Sequence, residues 1–163
     1  MNVGASAPDE AGLYFSWGNS PGHAEGSGYD FSQEVYDETP GAAIVTDLTL
    51  AEDMARQTLG SPWRMPTTAE LQELFDNCTS VWTMQNGVEG RLFTSNVNGN
   101  SIFFPAAGYY ERTTINNRET DGYYWTSSCD LDENALYMNF DSSNVNTGDN
   151  DFRHNGFPVR AVQ

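Results

Sequence analysis

Apolar residues recur at helical spacing in the first half of the chain and alternate at the period of a strand in the second half. Thr49-Leu50-Ala51-Glu52 has the spacing of a capping box, and Gly60 is a suitable left-handed terminator, so a first helix is expected from about Thr49 to Gly60 with Leu50, Met54 and Leu59 on its buried side. Thr67-Thr68-Ala69-Glu70 repeats the box directly after Pro66. Leu71, Leu74, Phe75 and Cys78 then fall at i, i+3, i+4 and i+7, which predicts a second helix and puts Cys78 on its apolar stripe. Ahead of both, Leu13-Tyr14-Phe15-Ser16-Trp17 reads as a short strand ending at Gly18, within a first 40 residues otherwise irregular but packed. Beyond Asn77 come strand-like runs at Val81-Trp82, 90–94, 101–109, Tyr123-Tyr124-Trp125 and Leu136–Phe140. Asn98-Gly99 forms the hairpin turn between two of them, since both residue types tolerate positive φ. Helices first and a mainly antiparallel sheet after make the expected class α+β.

Leu136 to Asp141 alternates strictly. Period two puts Leu136, Met138 and Phe140 toward a core and Tyr137, Asn139 and Asp141 toward solvent. The following residues, 142–152, have almost no apolar content, and their Asn and Asp side chains bond their own backbone in turns, so this stretch reads as a polar loop. Phe157 and Val159 then look like a closing strand anchored in the core. A polar loop held at both ends by buried strands is a platform for display; taken alone, it is equally a solvated connection.

Composition narrows the possibilities. The chain has 163 residues, the size of one compact domain, and we expect a single domain over 1–163. Seven Lys plus Arg face 23 Asp plus Glu, a formal charge of −16 that repels phosphate backbones and anionic bilayers, so nucleic acid is not an expected partner. No apolar run reaches the roughly 20 residues of a membrane span, and no export signal is visible at the start. Cys78 and Cys129 are too few for a disulfide framework; they could form one bridge or remain two thiols. No residue set reads as catalytic, and neither a cofactor nor a metal site is expected.

Seven blocks in order resemble the Fibrobacter succinogenes major paralogous domain family and the C-type-lectin-fold variable proteins of diversity-generating retroelements. They are Tyr14-Phe15-Ser16-Trp17-Gly18; Trp63-Arg64-Met65-Pro66-Thr67 with Ala69-Glu70-Leu71 and Leu74; Asp76-Asn77-Cys78; Asn86-Gly87-Val88-Glu89-Gly90; 100–108 from Asn100 to Gly108; Gly122-Tyr123-Tyr124-Trp125-Thr126-Ser127-Ser128; and Asn155-Gly156-Phe157-Pro158-Val159-Arg160. The chain departs from the family pattern at Ala161, usually Pro, and in the extra Phe152 before Arg153, which leaves the loop register open. The resemblance implies a C-type-lectin-like fold, two helices packed on a twisted antiparallel sheet with the termini close together.

In diversified relatives, adenine-directed mutagenesis rewrites Asn codons of the C-terminal segment, and the altered side chains form the binding face. An AAC or AAT codon randomised at both adenines excludes only Met, Trp, Lys, Gln and Glu. Tyr137, Asn139, Asp141, Asn144, Asn146, Gly148, Asp149, Asn150, Asp151, Phe152, His154 and Asn155 all belong to the allowed set, whereas the inward Met138 and nearby Glu133 do not. Those twelve are the expected ligand contacts, within a segment of about 129–155; Asp130, Asp132 and Asn134 could extend it. Aromatic rings supply rigid contact area, while Asn and Asp supply adaptable hydrogen bonds.

The implied function is receptor binding on a phage tail or bacterial surface, with a protein or glycan ligand and an open oligomeric state. Two other functions fit the same residues: a glycan-binding lectin, calcium-dependent or not, and a structural surface or virion domain. An enzyme of the formylglycine-generating type is disfavoured, because Cys129 lies in an acidic loop that raises its pKa. Trp125 is expected in the core.

Overall fold

The computed structural model describes residues 1–33, 46–130 and 134–163. Its elements are β1 (Tyr14–Phe15), a 3-10 turn (Phe31–Gln33), α1 (Met54–Leu59), α2 (Thr68–Asn77), β2 (Cys78–Gln85), β3 (Val88–Ser95), β4 (Ser101–Pro105), β5 (Tyr109–Glu111), β6 (Thr114–Asn116), β7 (Gly122–Cys129), β8 (Asn134–Phe140), β9 (Val145–Phe152) and β10 (Phe157–Pro158). Among the described residues strand accounts for 41% and helix for 13%, and the strands fall into separate antiparallel sheets, ordered β1-β10, β2-β3-β4, β5-β6 and β7-β8-β9. This corrects the expected fold: the protein is mostly β, not two helices laid on one twisted sheet of the C-type-lectin kind.

The first helix is short for a local reason. Thr49 and Glu52 make only one of the two bonds of a box: Thr49 N and Oγ1 both donate to Glu52 Oε2 at 2.9 and 2.7 Å, but Glu52 N donates to Thr49 O at 3.0 Å and not to the hydroxyl, so they close only a turn. The N-cap is Asp53, whose Oδ1 accepts from Arg56 N at 2.9 Å while Oδ2 accepts from Met65 N at 2.8 Å, tying the helix start to the chain beyond its end. Met54 is buried, but Leu50 and Leu59 are 55% and 44% exposed, which corrects the expected buried side.

The second helix follows its box: Thr67 Oγ1 accepts from Glu70 N and the Glu70 carboxylate accepts from Thr67 N. Arg64 Nη1 adds a bond to the same carboxylate at 2.7 Å and holds it down to about pKa 2. Leu71 is buried and Leu74 half-buried, while Phe75 faces outward. Helical φ/ψ stops at Asn77, so Cys78 opens β2, yet its half-buried side chain packs against the same core as Leu71 and Leu74.

Asn86 and Gly87, with φ of 51° and 86°, make the two-residue turn between β2 and β3 that a right-twisted hairpin requires. Three aromatic clusters result among the described residues, one of them Tyr14, Phe31 and Tyr110, and two bear on the site. In one, Trp125 stacks on Phe157 (centroids 4.1 Å apart) among Phe15, Trp17, Met54, Met65 and Val159. The indoles are satisfied: Trp125 Nε1 donates to Phe15 O at 2.8 Å and Trp17 Nε1 to Thr126 O at 2.7 Å. In the other, α2 brings Leu71 against Phe93, Phe104, Tyr124, Met138 and Phe140. Each such ring contributes roughly 1.5–3 kcal/mol by leaving water. The two ends of the chain meet: Asn2 pairs with Arg160, and Val3 N donates to Val159 O at 2.9 Å. Among the described residues no helix is long and apolar enough to cross a membrane.

Candidate functional site

β8 is the middle strand of its sheet, between β7 and β9. Register places Tyr123, Trp125, Ala135, Tyr137, Asn139, Asp149 and Asp151 on one face, and Tyr124, Leu136, Met138, Phe140, Val145 and Asn150 on the other. Both faces are covered near Tyr137, the first by Trp125 and Phe157, the second by α2 and β4. Strict alternation had implied one wet face; with two covered faces, Tyr137 is only 7% exposed and Leu136 half-exposed, a correction to both expectations.

The polar stretch also differs from its expected form. Residues 145–152 are a strand, hydrogen-bonded to β8 along its length, with an irregularity in register between Tyr137 and Asn139. Thr147 is buried and bonds Gln72 of α2, so the strand is fixed to the helix as well.

The twelve expected contact residues separate into four groups. Asp141 builds the β8–β9 turn: its Oδ1 accepts from Ser143 N at 2.6 Å and Asn144 N at 2.8 Å, and those bonds from Ser143, then Asn144, hold its carboxyl below the ordinary range. Asn144, Asn146, Gly148 and Asn150 are exposed along the turn and the strand. Phe152 and His154 stack parallel (5.5 Å, 12°), with Phe152 opposite Asn134 on the face away from Tyr137. Tyr137, Asn139, Asp149 and Asp151 share a face, and Asn155, 5% exposed, lies buried behind it. Asp132 and Glu133 lie outside the described residues.

That shared face is the candidate site, and it includes residues that the sequence did not single out. Tyr109 of β5 and Tyr123 of β7 are half-buried with centroids 4.8 Å apart, and Tyr123 lies 5.8 Å from Tyr137; all three pack against Phe157. Asn117 Nδ2 donates to the Tyr123 hydroxyl at 2.7 Å. Residues so far apart in sequence carry no common signal; they are brought together by the packing of β5, β7 and β10, which the isolated bridges Gly108–Gly122 and Tyr110–Gly156 link.

The face is acidic, carrying Asp149 and Asp151. Asn139 Nδ2 donates to Asp149 Oδ2 at 2.8 Å, and Phe152 N donates to Asp151 Oδ1 at 2.7 Å. Burial, the largest effect, raises the Asp151 carboxyl above its ordinary value, and Asp149 adds to the rise, against hydrogen bonds from Phe152 and Asn155 and the charge of His154. Burial also raises the phenols of Tyr109, Tyr123 and Tyr137, and the charge of Asp151 adds to each. Among the described residues no group of three or more His, Cys, Asp and Glu is arranged to hold a metal ion. Both cysteines are free thiols, and burial followed by the Asp47 charge raises that of Cys129.

No curated protein and no solved structure matches the chain. Residues 82–162, from the fifth residue of β2 through β10 and so across the whole tyrosine–carboxylate face, are similar to the family described as a domain of unknown function (DUF8237).

Proposed function

We propose that the chain is a non-catalytic recognition module, displayed on a phage tail or bacterial surface and varied by a retroelement in its C-terminal segment, with a protein or glycan receptor as ligand. One observation carries this reading: backbone pairing with β8 holds β9 in place while its side chains Asn146, Asn150 and Phe152 and the backbone at Gly148 stand exposed and Asp149 and Asp151 line the tyrosine face. Side-chain identity at the exposed positions is not needed for the fold, because the ladder uses only backbone groups. That is the physical condition under which a strand can be rewritten without unfolding.

Two measurements test it. Sequencing the locus should find a reverse transcriptase and a near-copy of the codons for about 129–155; an intact locus with neither rejects diversification. Replacing Asn144, Asn146, Gly148 and Asn150 together with residues from the permitted set should leave the melting temperature within a few degrees, whereas a collapse of folding would show that the strand is structural.

The rings of Tyr109 and Tyr123 support a glycan as a second reading, since aromatic faces pack against sugar C–H groups. Binding of a methyl glycoside to this face that survives EDTA would favour it over a calcium-bridged lectin.

A further inference from the structure

The tyrosine–carboxylate face is unusual in what it offers a ligand. Its charged groups, Asp149 and Asp151, only accept hydrogen bonds, and among the described residues neither has an ion-pair partner, the pairs there being Arg64–Glu70 and Arg118–Glu25. Asn155 donates its amide to Asp151, and its own Oδ1 is buried with no hydrogen-bond partner at all. A buried acceptor left open costs roughly 1–3 kcal/mol, so its retention beside a half-buried carboxylate needs an explanation.

We propose that this face receives a positively charged side chain, arginine or lysine, projected by a partner protein. The inference rests on the reading of the face as a recognition surface and names the chemistry it recognises. Asp149 and Asp151 stand two residues apart on β9, about 6.5–7 Å along the strand. A guanidinium, with five donors in a planar fork, can bond both carboxylates. The rings of Tyr109 and Tyr123 beside them present π faces, which attract a cation by roughly 0.5–2 kcal/mol according to its desolvation. A neutral sugar can stack on the same rings but leaves the half-buried Asp151 charge uncompensated. The net charge of −16 draws a basic partner toward the molecule from a distance.

The test is an NMR titration of the full ¹⁵N-labelled chain with three probes: N-acetyl-Gly-Arg-Gly-amide, the same peptide with citrulline in place of arginine, and methyl α-glucoside. Citrulline keeps the shape and removes the charge. The arginine peptide should give saturable shifts at the amides of Tyr123, Asn139 and Asp151, with the citrulline peptide at least about tenfold weaker, as expected for loss of one or two charged hydrogen bonds. In the double variant Asp149→Asn with Asp151→Asn, the arginine peptide should also bind at least about tenfold more weakly, with the rest of the spectrum unchanged.

Equal affinity for the arginine and citrulline peptides, or saturable binding of the glucoside alone, overturns the cation and leaves the recognition surface standing. Unsaturable shifts scattered over the acidic surface, or silence toward all three probes, also overturns it. The recognition reading falls separately, on the locus and the β9 replacements.

Discussion

Asn139 and Asp149 are joined by a 2.8 Å hydrogen bond that runs diagonally across the sheet, because register sets Asn139 opposite Asn146 and Asp149 opposite Tyr137. The bond crosses the irregularity between β8 and β9, where the ladder itself is interrupted. It therefore does locally what backbone pairing does elsewhere. Asn139→Ala should cost about 1 kcal/mol in urea denaturation. Asn139→Asp should cost more at pH 7, where it sets two carboxylates side by side. Equal losses for the two variants at pH 7 would mean that the pair is not in contact in solution.

Tyr137 and Phe152 were both expected to be displayed, and the structure separates them at 7% and 58% exposed. Tyr137→Ala should lose about 3 kcal/mol or more, since its ring fills space against Trp125, Tyr123 and Phe157. Phe152→Ala should change stability by less than about 0.5 kcal/mol, as surface substitutions usually do. Thermal melts of the two variants decide this, and similar losses would refute the described burial.

Asp151 is a carboxylate that the fold disfavours. Its folded pKa lies above the ordinary value, so its contribution to stability is greatest below the unfolded pKa and is lost as pH rises through the folded one. Asp151→Asn should melt no lower than the parent at pH 7 and should lack the parent's decline in stability as pH rises out of the carboxylate range. A clear drop in melting temperature at pH 7 would assign Asp151 a structural role and remove the puzzle of its retention.

Glu70 behaves in the opposite sense. Its bond from Arg64, foremost among several, lowers the carboxyl to about 2, so its contribution is present above the ordinary Glu value and disappears as pH falls from there to about 2. The pair is over a third exposed on the Glu70 side, which limits the effect to about 0.5 kcal/mol. Glu70→Gln, which keeps the capping geometry, should flatten this part of the acid limb and leave stability at pH 7 nearly unchanged. A loss of several kcal/mol at pH 7 would contradict the exposure of the pair.

Gly122 pairs with Phe140, and a Cβ built there would stand 2.1 Å from the Phe140 ring. Gly122→Ala should force that ring aside and cost about 1–3 kcal/mol, read as an earlier urea midpoint. An unchanged midpoint would mean that the two strands pack more loosely than described.

The legible parts of the chain were those where local chemistry and tertiary packing agree. The Thr67–Glu70 box, the Gly60 stop and the burial of Trp125 and Phe157 all follow from residues acting on near neighbours or from large rings, whereas the Asn98-Gly99 pair lies in a five-residue connection, 96–100, and of the two only Gly99 has positive φ. The same box residues at Thr49–Glu52 produced only a turn, because Asp53 caps the helix instead and is held there by Met65, a partner 12 residues away. β9 was invisible because Asn, Asp and Gly favour turns, while its pairing with β8 draws on backbone groups that every residue possesses. Two-sided covering of β8 reversed the expected exposure of Tyr137, and no alternation rule anticipates that. These long-range terms also explain why the expected helix-on-sheet class gave way to a mostly β architecture.

The meeting of Asn2 with Arg160, and of β1 with β10, sets how the molecule responds to being pulled. With both ends leaving the antiparallel pair on the same side, tension applied between them falls on one rung at a time, peeling the clasp open instead of sliding two strands past each other. At the C-terminal end Val162 must first leave Arg64; Asn2–Arg160 and Val3–Val159 part next, and beyond them stand Phe15 and Phe157, buried in the same core as Trp125. A tether drawn through both ends therefore loads the floor of the tyrosine face, whereas anchoring through one end alone leaves that floor undisturbed.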